Sequence, residues 1–281
     1  SRGILELAHE GVLSATLLLV NSPQAAASVA LWNQQGQPVE MGWHPCLTLD
    51  RPVLAPRAVP SLVRSDGRFH DLRGFLKRWL LGRLRPAEVR AELAAQLARF
   101  QTLVGHPPRV VAAHHHVHVF PPVGRLLLDL LARMQPRPYV RRGVEPRPQL
   151  SALPGGRPKR LILSLLGQRF AQTQRRRGFP GSEVLAGITD PASCAQASFF
   201  VNCLAHTRGR HVELTCHPGR EDATLIGRDD LGGPGERARR VHELQALRHP
   251  QFRAAAARLG FEIVPPSAWH ATEVRHAGRA A

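Results

Sequence analysis

Short apolar strands alternate with amphipathic helices along most of this 281-residue chain, and that alternation narrows its fold more than any other feature. Strands are expected at 13–20, 38–43, 109–113, 138–141, 184–188, 211–216 and 261–264. Helices are expected at 3–10, 24–34, 69–81, 86–104, 122–134, 159–176, 195–206, 235–247 and 250–259, with a short one at the C-terminus. Single apolar strands each followed by a helix argue for a parallel sheet, and at this length for a β/α barrel over an open doubly wound sheet. A dinucleotide site would need G-x-G-x-x-G after a strand, and the sequence has none. The Pro- and Arg-rich stretch 45–68 reads as a long loop, and 145–158 is a Pro/Gly-rich segment. They fall within regions 45–85 and 145–190, which look like insertions on one domain spanning 1–281.

Composition removes several classes. With 43% hydrophobic and 21% charged residues, extended disorder is excluded. No uninterrupted apolar stretch approaches the roughly 20 residues of a membrane span. The formal charge of +17 comes almost wholly from arginine, Lys77 and Lys159 being the only lysines. Such a charge invites a nucleic-acid reading, but the arginines are scattered along helices and no helix-turn-helix, RNA-recognition or zinc-finger pattern accompanies them. A solvated basic surface is the preferred reading, and nucleic acid is not expected as a partner. Cys46, Cys194, Cys203 and Cys216 form no C-x-x-C pair and read as reduced thiols in a cytoplasmic protein. The opening Ser1-Arg2-Gly3-Ile4 lacks a signal peptide's apolar middle and an initiating Met, so the chain reads as starting inside a domain.

The chemistry gathers at strand ends. His114-His115-His116-Val117-His118 follows the strand 109–113, at the carboxyl edge where barrel enzymes assemble their sites. If the extended geometry persists, His114, His116 and His118 share one side and His115 the other. Four imidazoles in five residues are costly in a core, because each buried ring needs a partner, so metal ligation outweighs a histidine-rich surface turn. In 38–44, Glu40, Gly42 and His44 share a face opposite Val39, Met41 and Trp43. In 211–217, His211, Glu213, Thr215 and His217 alternate with Val212, Leu214 and Cys216. Three strands each delivering histidine to the same end suit zinc or another first-row divalent ion.

These segments carry a resemblance. Met41-Gly42-Trp43-His44 with Leu47-Thr48-Leu49, then Ala113-His114-His115-His116-Val117-His118-Val119-Phe120-Pro121, then Val212-Glu213-Leu214-Thr215-Cys216-His217-Pro218-Gly219 resemble successive motifs of the chitooligosaccharide deacetylase (YdjC-like) family, which includes deacetylases associated with hopanoid biosynthesis. Gly11-Val12-Leu13-Ser14-Ala15-Thr16 through Val20-Asn21 resembles the family's second strand and the turn after it. The resemblance implies an irregular, TIM-like β/α barrel that removes acetyl groups from N-acetylated sugars or glycolipids with a divalent metal, magnesium or zinc. The implied metal ligands are His44 and His114. His217 is the implied general acid, with Glu213 either fixing its tautomer or pairing with an interior arginine. Arg141 matches an arginine near the substrate or the site's charge network, and Asn21 and His116 complete the candidate substrate-binding set.

The sequence departs from the family in two places. The family opens with a strand ending in Ala-Asp-Asp-Phe-Gly, which supplies the metal carboxylate and the general base. This sequence starts after that point, so the expectation is a truncated first strand and impaired activity. Ala112 also stands where the family often has Asp. Alternatives are a metal-dependent phosphoesterase, a catalytically inactive paralogue and a basic nucleic-acid-binding protein. Homodimerisation stays open.

Overall fold

The computed structural model describes residues 1–221 and 234–268. In chain order the elements are α1 (Arg2–His9), β1 (Ala15–Leu18), α2 (Ala25–Gln34), β2 (Glu40–Trp43), α3 (Leu72–Leu80), α4 (Pro86–Val104), β3 (Val110–Val111), α5 (Val123–Leu131), β4 (Tyr139–Val140), α6 (Arg147–Ala152), α7 (Arg157–Arg176), β5 (Val184–Ala186), α8 (Pro191–Cys194), α9 (Phe199–His206), β6 (Val212–Leu214), α10 (Pro234–Arg248) and α11 (Pro250–Arg258). The class is α/β, and every ladder between these strands is parallel.

The chain divides into two compact units. Among the described residues, the four-stranded unit comprises 15–140, 173–180 and 266–268; the two-stranded unit comprises 1–14, 141–172, 181–221 and 234–265. In the former the strand order is β1-β2-β3-β4. Thr16 sits opposite Met41, Trp43 opposite Val111, and Val111 opposite Val140. Trp43, Phe69, Phe75, Phe100, Leu127 and Leu128 are among its fully buried side chains. Helix α4 has the bounds expected from its sequence, for local reasons. Pro86 occupies the first turn, where its missing N–H costs nothing, and Gly105 ends the helix in the left-handed conformation at φ 86°.

The two-stranded unit pairs β5 with β6, Leu185 opposite Glu213. Its core gathers Leu7, Val12, Leu153, Phe199, Phe200, Cys203, Leu244, Leu247 and Phe252. Gly187 lies just past β5 at φ +95°, and a Cβ there would sit 2.1 Å from the Thr215 carbonyl oxygen, so only glycine fits.

One local expectation fails. Residues 261–264 form no strand; Ile263 and Val264 are exposed there, so no apolar face holds the segment in a sheet. The Pro/Gly-rich stretch 145–158 is partly helical. It contains α6, and buried Glu145 is ion-paired with fully buried Arg160, each charge answering the other. The expected C-terminal helix lies almost wholly outside the described residues. None of the four cysteines is in a disulfide. Burial pushes the Cys203 thiol up to about 12 and raises those of Cys194 and Cys216 as well, so all three stay protonated. Among the described residues no helix is long and apolar enough to cross a membrane.

Candidate active site

In the four-stranded unit, parallel pairing carries the ends of β2 and β3 side by side. The ladder runs on beyond the strands: Ala112 N–H donates to the Trp43 carbonyl at 3.3 Å and His114 N–H to the Pro45 carbonyl at 2.8 Å. This brings His44 and His114 together edge to face, with ring centroids 5.5 Å apart. Close approach of the strands depends on Gly42, where a Cβ would lie 2.5 Å from the Val110 carbonyl oxygen and 2.7 Å from Leu17 Cδ2.

His44 Nδ1 contacts the Ala112 carbonyl oxygen. A carbonyl only accepts, so Nδ1 carries the hydrogen and Nε2 of the neutral ring is the acceptor nitrogen. Two imidazoles on one zinc at tetrahedral angles bring their centroids to about 5 Å of each other, from metal–nitrogen distances of about 2 Å. The observed separation of 5.5 Å is of that size. Among the described residues no group of three or more His, Cys, Asp or Glu is arranged to hold a metal ion.

The histidine run does not continue the strand. Residues His114–Val119 form a 3-10 turn in which His115 and His116 take left-handed conformations, with φ 52° and 55°. The expected alternation of His114, His116 and His118 against His115 is therefore corrected. Instead His115 packs edge to face against His114 at 4.0 Å between centroids, and its Nδ1 lies 3.0 Å from Thr48 Oγ1. His118 is fully buried, and its Nδ1 accepts from the Ala113 N–H at 3.4 Å. His116 is half-buried, 6.3 Å from His118 between ring centroids. Consecutive left-handed non-glycine residues cost on the order of 1–2 kcal/mol each, and such strain collects at functional sites.

The segment after His44 is held by a polar stripe on α4 that the sequence disguises as a solvated face. Glu88 accepts from Ser61 N–H at 2.7 Å, and Glu92 from Val53 N–H at 2.8 Å and Leu54 N–H at 3.1 Å. Gln96 accepts from Cys46 N–H at 2.9 Å and donates to its carbonyl at 2.6 Å. The i, i+4, i+8 spacing was a signal that one helix face is polar, but not that it is buried. Asn21 belongs to the same network, its Nδ2 donating to the Arg51 carbonyl at 2.8 Å.

In the two-stranded unit, Glu213 on β6 is ion-paired with Arg141 at 2.6 Å, both side chains largely buried. Of the two partners expected for Glu213, the arginine is one it contacts. Arg141 accordingly sits in a charge network with its guanidinium engaged. His217 is exposed, three residues beyond β6. Its backbone N–H donates to the carboxylate of Glu243 on α10, a residue not anticipated from sequence.

The YdjC-like protein family matches residues 1–258. The chain belongs to the YdjC-like family. Among relatives of this YdjC-like chain, the chitooligosaccharide deacetylase of Serratia marcescens is 31% identical, covering 92% of this chain and 89% of that protein. The carbohydrate deacetylase of Danio rerio is 28% identical over 89% of this chain and 87% of that protein. The human carbohydrate deacetylase is 29% identical over 93% and 84%. A solved structure from Enterococcus faecalis, of a protein named for cellobiose-phosphate cleavage, superposes with a TM-score of 0.72 at 21% identity, covering 95% of this chain and 92% of that one. That likeness extends the YdjC-like chain's kinship to its fold.

Proposed function

We propose that the chain is a carbohydrate de-N-acetylase, hydrolysing the amide of an N-acetylated sugar, free or lipid-linked, to acetate and the sugar amine. The observation that carries this reading is the His44–His114 pair, two imidazoles from adjacent parallel strands with His44 fixed in the tautomer that presents Nε2. Membership of a family whose relatives are named for carbohydrate deacetylation supports it.

His44 and His114 would hold a divalent cation, magnesium or zinc, the imidazole donors favouring zinc. Such an ion supplies Lewis acidity at the acetyl carbonyl and lowers the pKa of its water toward neutrality. The Ala112 carbonyl orients the His44 ring and raises the basicity of Nε2. The His115 ring against His114, and Thr48 behind His115, restrict the His114 imidazole to one orientation. A sugar amine leaves poorly unless protonated, so the reaction needs a general acid. His217, exposed on its turn, gives that proton to the departing nitrogen as the carbon–nitrogen bond breaks. Arg141 and Glu213 neutralise one another, and their role is to order the charge around β6 rather than to bind a free anion.

The test is acetate release from a panel of N-acetylated mono- and oligosaccharides, with and without a chelator. Release that the chelator abolishes is expected. Release indifferent to chelator removes the metal from the reading, and the absence of release from every N-acetylated sugar overturns it.

A further inference from the structure

The Cys216–Gly219 turn has few backbone donors to spend. Pro218 has no N–H, and the amides of His217 and Gly219 both go to α10: His217 N–H to the Glu243 carboxylate, Gly219 N–H to the Arg240 carbonyl at 2.9 Å. Helix α10 is thus the mount for this turn, and Glu243 is the side chain that reaches the histidine. Its carboxylate is fully buried. One oxygen, Oε1, accepts from Arg239 Nε at 2.7 Å and from Cys194 Sγ at 3.3 Å, while Oε2 takes the His217 amide.

A structural reading of Glu243 would stop at the i, i+4 pair with Arg239 on its own helix. Burying that pair is poor value as stability, because apolar residues of similar volume usually do as well or better. What an apolar pair lacks is an acceptor for the His217 N–H. We infer that Glu243 is a positioning residue for His217: its buried carboxylate, itself fixed by Arg239 and Cys194, sets where the imidazole is presented. The inference rests on the de-N-acetylase reading, in which His217 protonates the leaving amine.

The prediction follows from what an acid is needed for. An N-acetyl sugar requires protonation of its leaving nitrogen; an aryl acetate ester, leaving as a phenolate, does not. Glu243→Leu, which removes the acceptor, lowers kcat on the N-acetylated sugar by about ten- to a hundredfold, the scale of displacing a catalytic group by about an ångström, with KM nearly unchanged. Ester hydrolysis by the same sample stays within about twofold. The ratio of the two rates is read on one preparation, so loss of folded protein cancels. Equal losses on amide and ester overturn the inference and leave Glu243 a structural residue. His217→Ala separates the two levels. If it spares amide hydrolysis, the acid assignment fails; if it abolishes amide hydrolysis while Glu243→Leu changes neither rate, only the positioning role fails. Should Glu243→Leu not fold, amide hydrogen exchange in the unaltered protein decides: a His217 N–H held by a buried carboxylate is strongly protected, and exchange at the rate of an exposed turn overturns the inference.

Discussion

The two histidine-bearing turns solve the same problem by different means. Both follow a parallel strand, and each depends on a glycine that lets neighbouring backbones approach, Gly42 ahead of His44 and Gly187 against Thr215. Beyond that they part. At His114–Val119 the placement is local: two left-handed residues fold the chain back so that rings meet edge to face within a few residues. At Cys216–Gly219 the placement is remote, delegated to a helix more than twenty residues further along the sequence. A turn that positions itself tolerates changes elsewhere but carries its own strain. A turn mounted on a distant helix is relaxed, but fails if the mount is altered.

The largest effect that would break this contrast is at the paired imidazoles. His44→Ala or His114→Ala should each lower deacetylation at least roughly a hundredfold, since a metal's Lewis acidity contributes several kcal/mol to the transition state. Stoichiometric metal uptake by either variant, measured by elemental analysis, would show that the pair is not the ligand set.

Next come the glycines. Gly187→Ala should cost about 2–4 kcal/mol, from its positive φ and the Thr215 carbonyl 2.1 Å from the new Cβ. Gly42→Ala should cost about 1–3 kcal/mol by overpacking against Val110 and Leu17. Both are read from denaturant unfolding; a cost under a few tenths at either would mean that strand approach there is looser than described.

The α4 stripe adds a pH-dependent expectation. Burial raises the Glu92 carboxyl above its ordinary value, despite the hydrogen bonds from Gln96, Val53 and Leu54 that oppose the shift. The folded state then holds the proton more tightly than the unfolded chain. Its contribution to stability is complete below the unfolded value of about 4.3 and is lost as pH rises through the folded pKa. Glu92→Gln should flatten that decline in a melting-temperature profile; an unchanged slope would assign the effect to another group.

The smallest effect separates self-positioned from mounted turns. His116→Gly should stabilise the protein by up to about 1 kcal/mol, because glycine accepts the left-handed conformation at φ 55° without a Cβ penalty. A loss in thermal unfolding would mean that the His116 side chain repays its strain through its contacts.

Much of the architecture could be read before any coordinates. Strand–helix alternation located six parallel strands and most helices, and the start of α4 followed from Pro86. His44 and His114 were visible as histidines delivered to the same end of a parallel sheet, and family resemblance marked them as candidate ligands; the pairing of their strands came from the structure. Where patterns were weak, the reading erred: Phe261–Val264 looked like a strand because apolar composition alone does not supply a neighbour to pair with. The extended alternation assumed for His114–His118 failed because histidine periodicity says nothing about the sign of φ.

Sequence by itself therefore determined the fold class, the family and the residue types at the strand ends, all of which depend on periodicity and motif order along the chain. Only the tertiary structure decided which polar groups are buried and what they hold. Glu88, Glu92, Gln96 and Glu243 look like ordinary helix-surface residues in sequence, yet each accepts from backbone N–H groups far from it in the chain. Such hydrogen bonds are set by where separate segments meet in space, and a buried carboxylate survives only where that meeting supplies its partners.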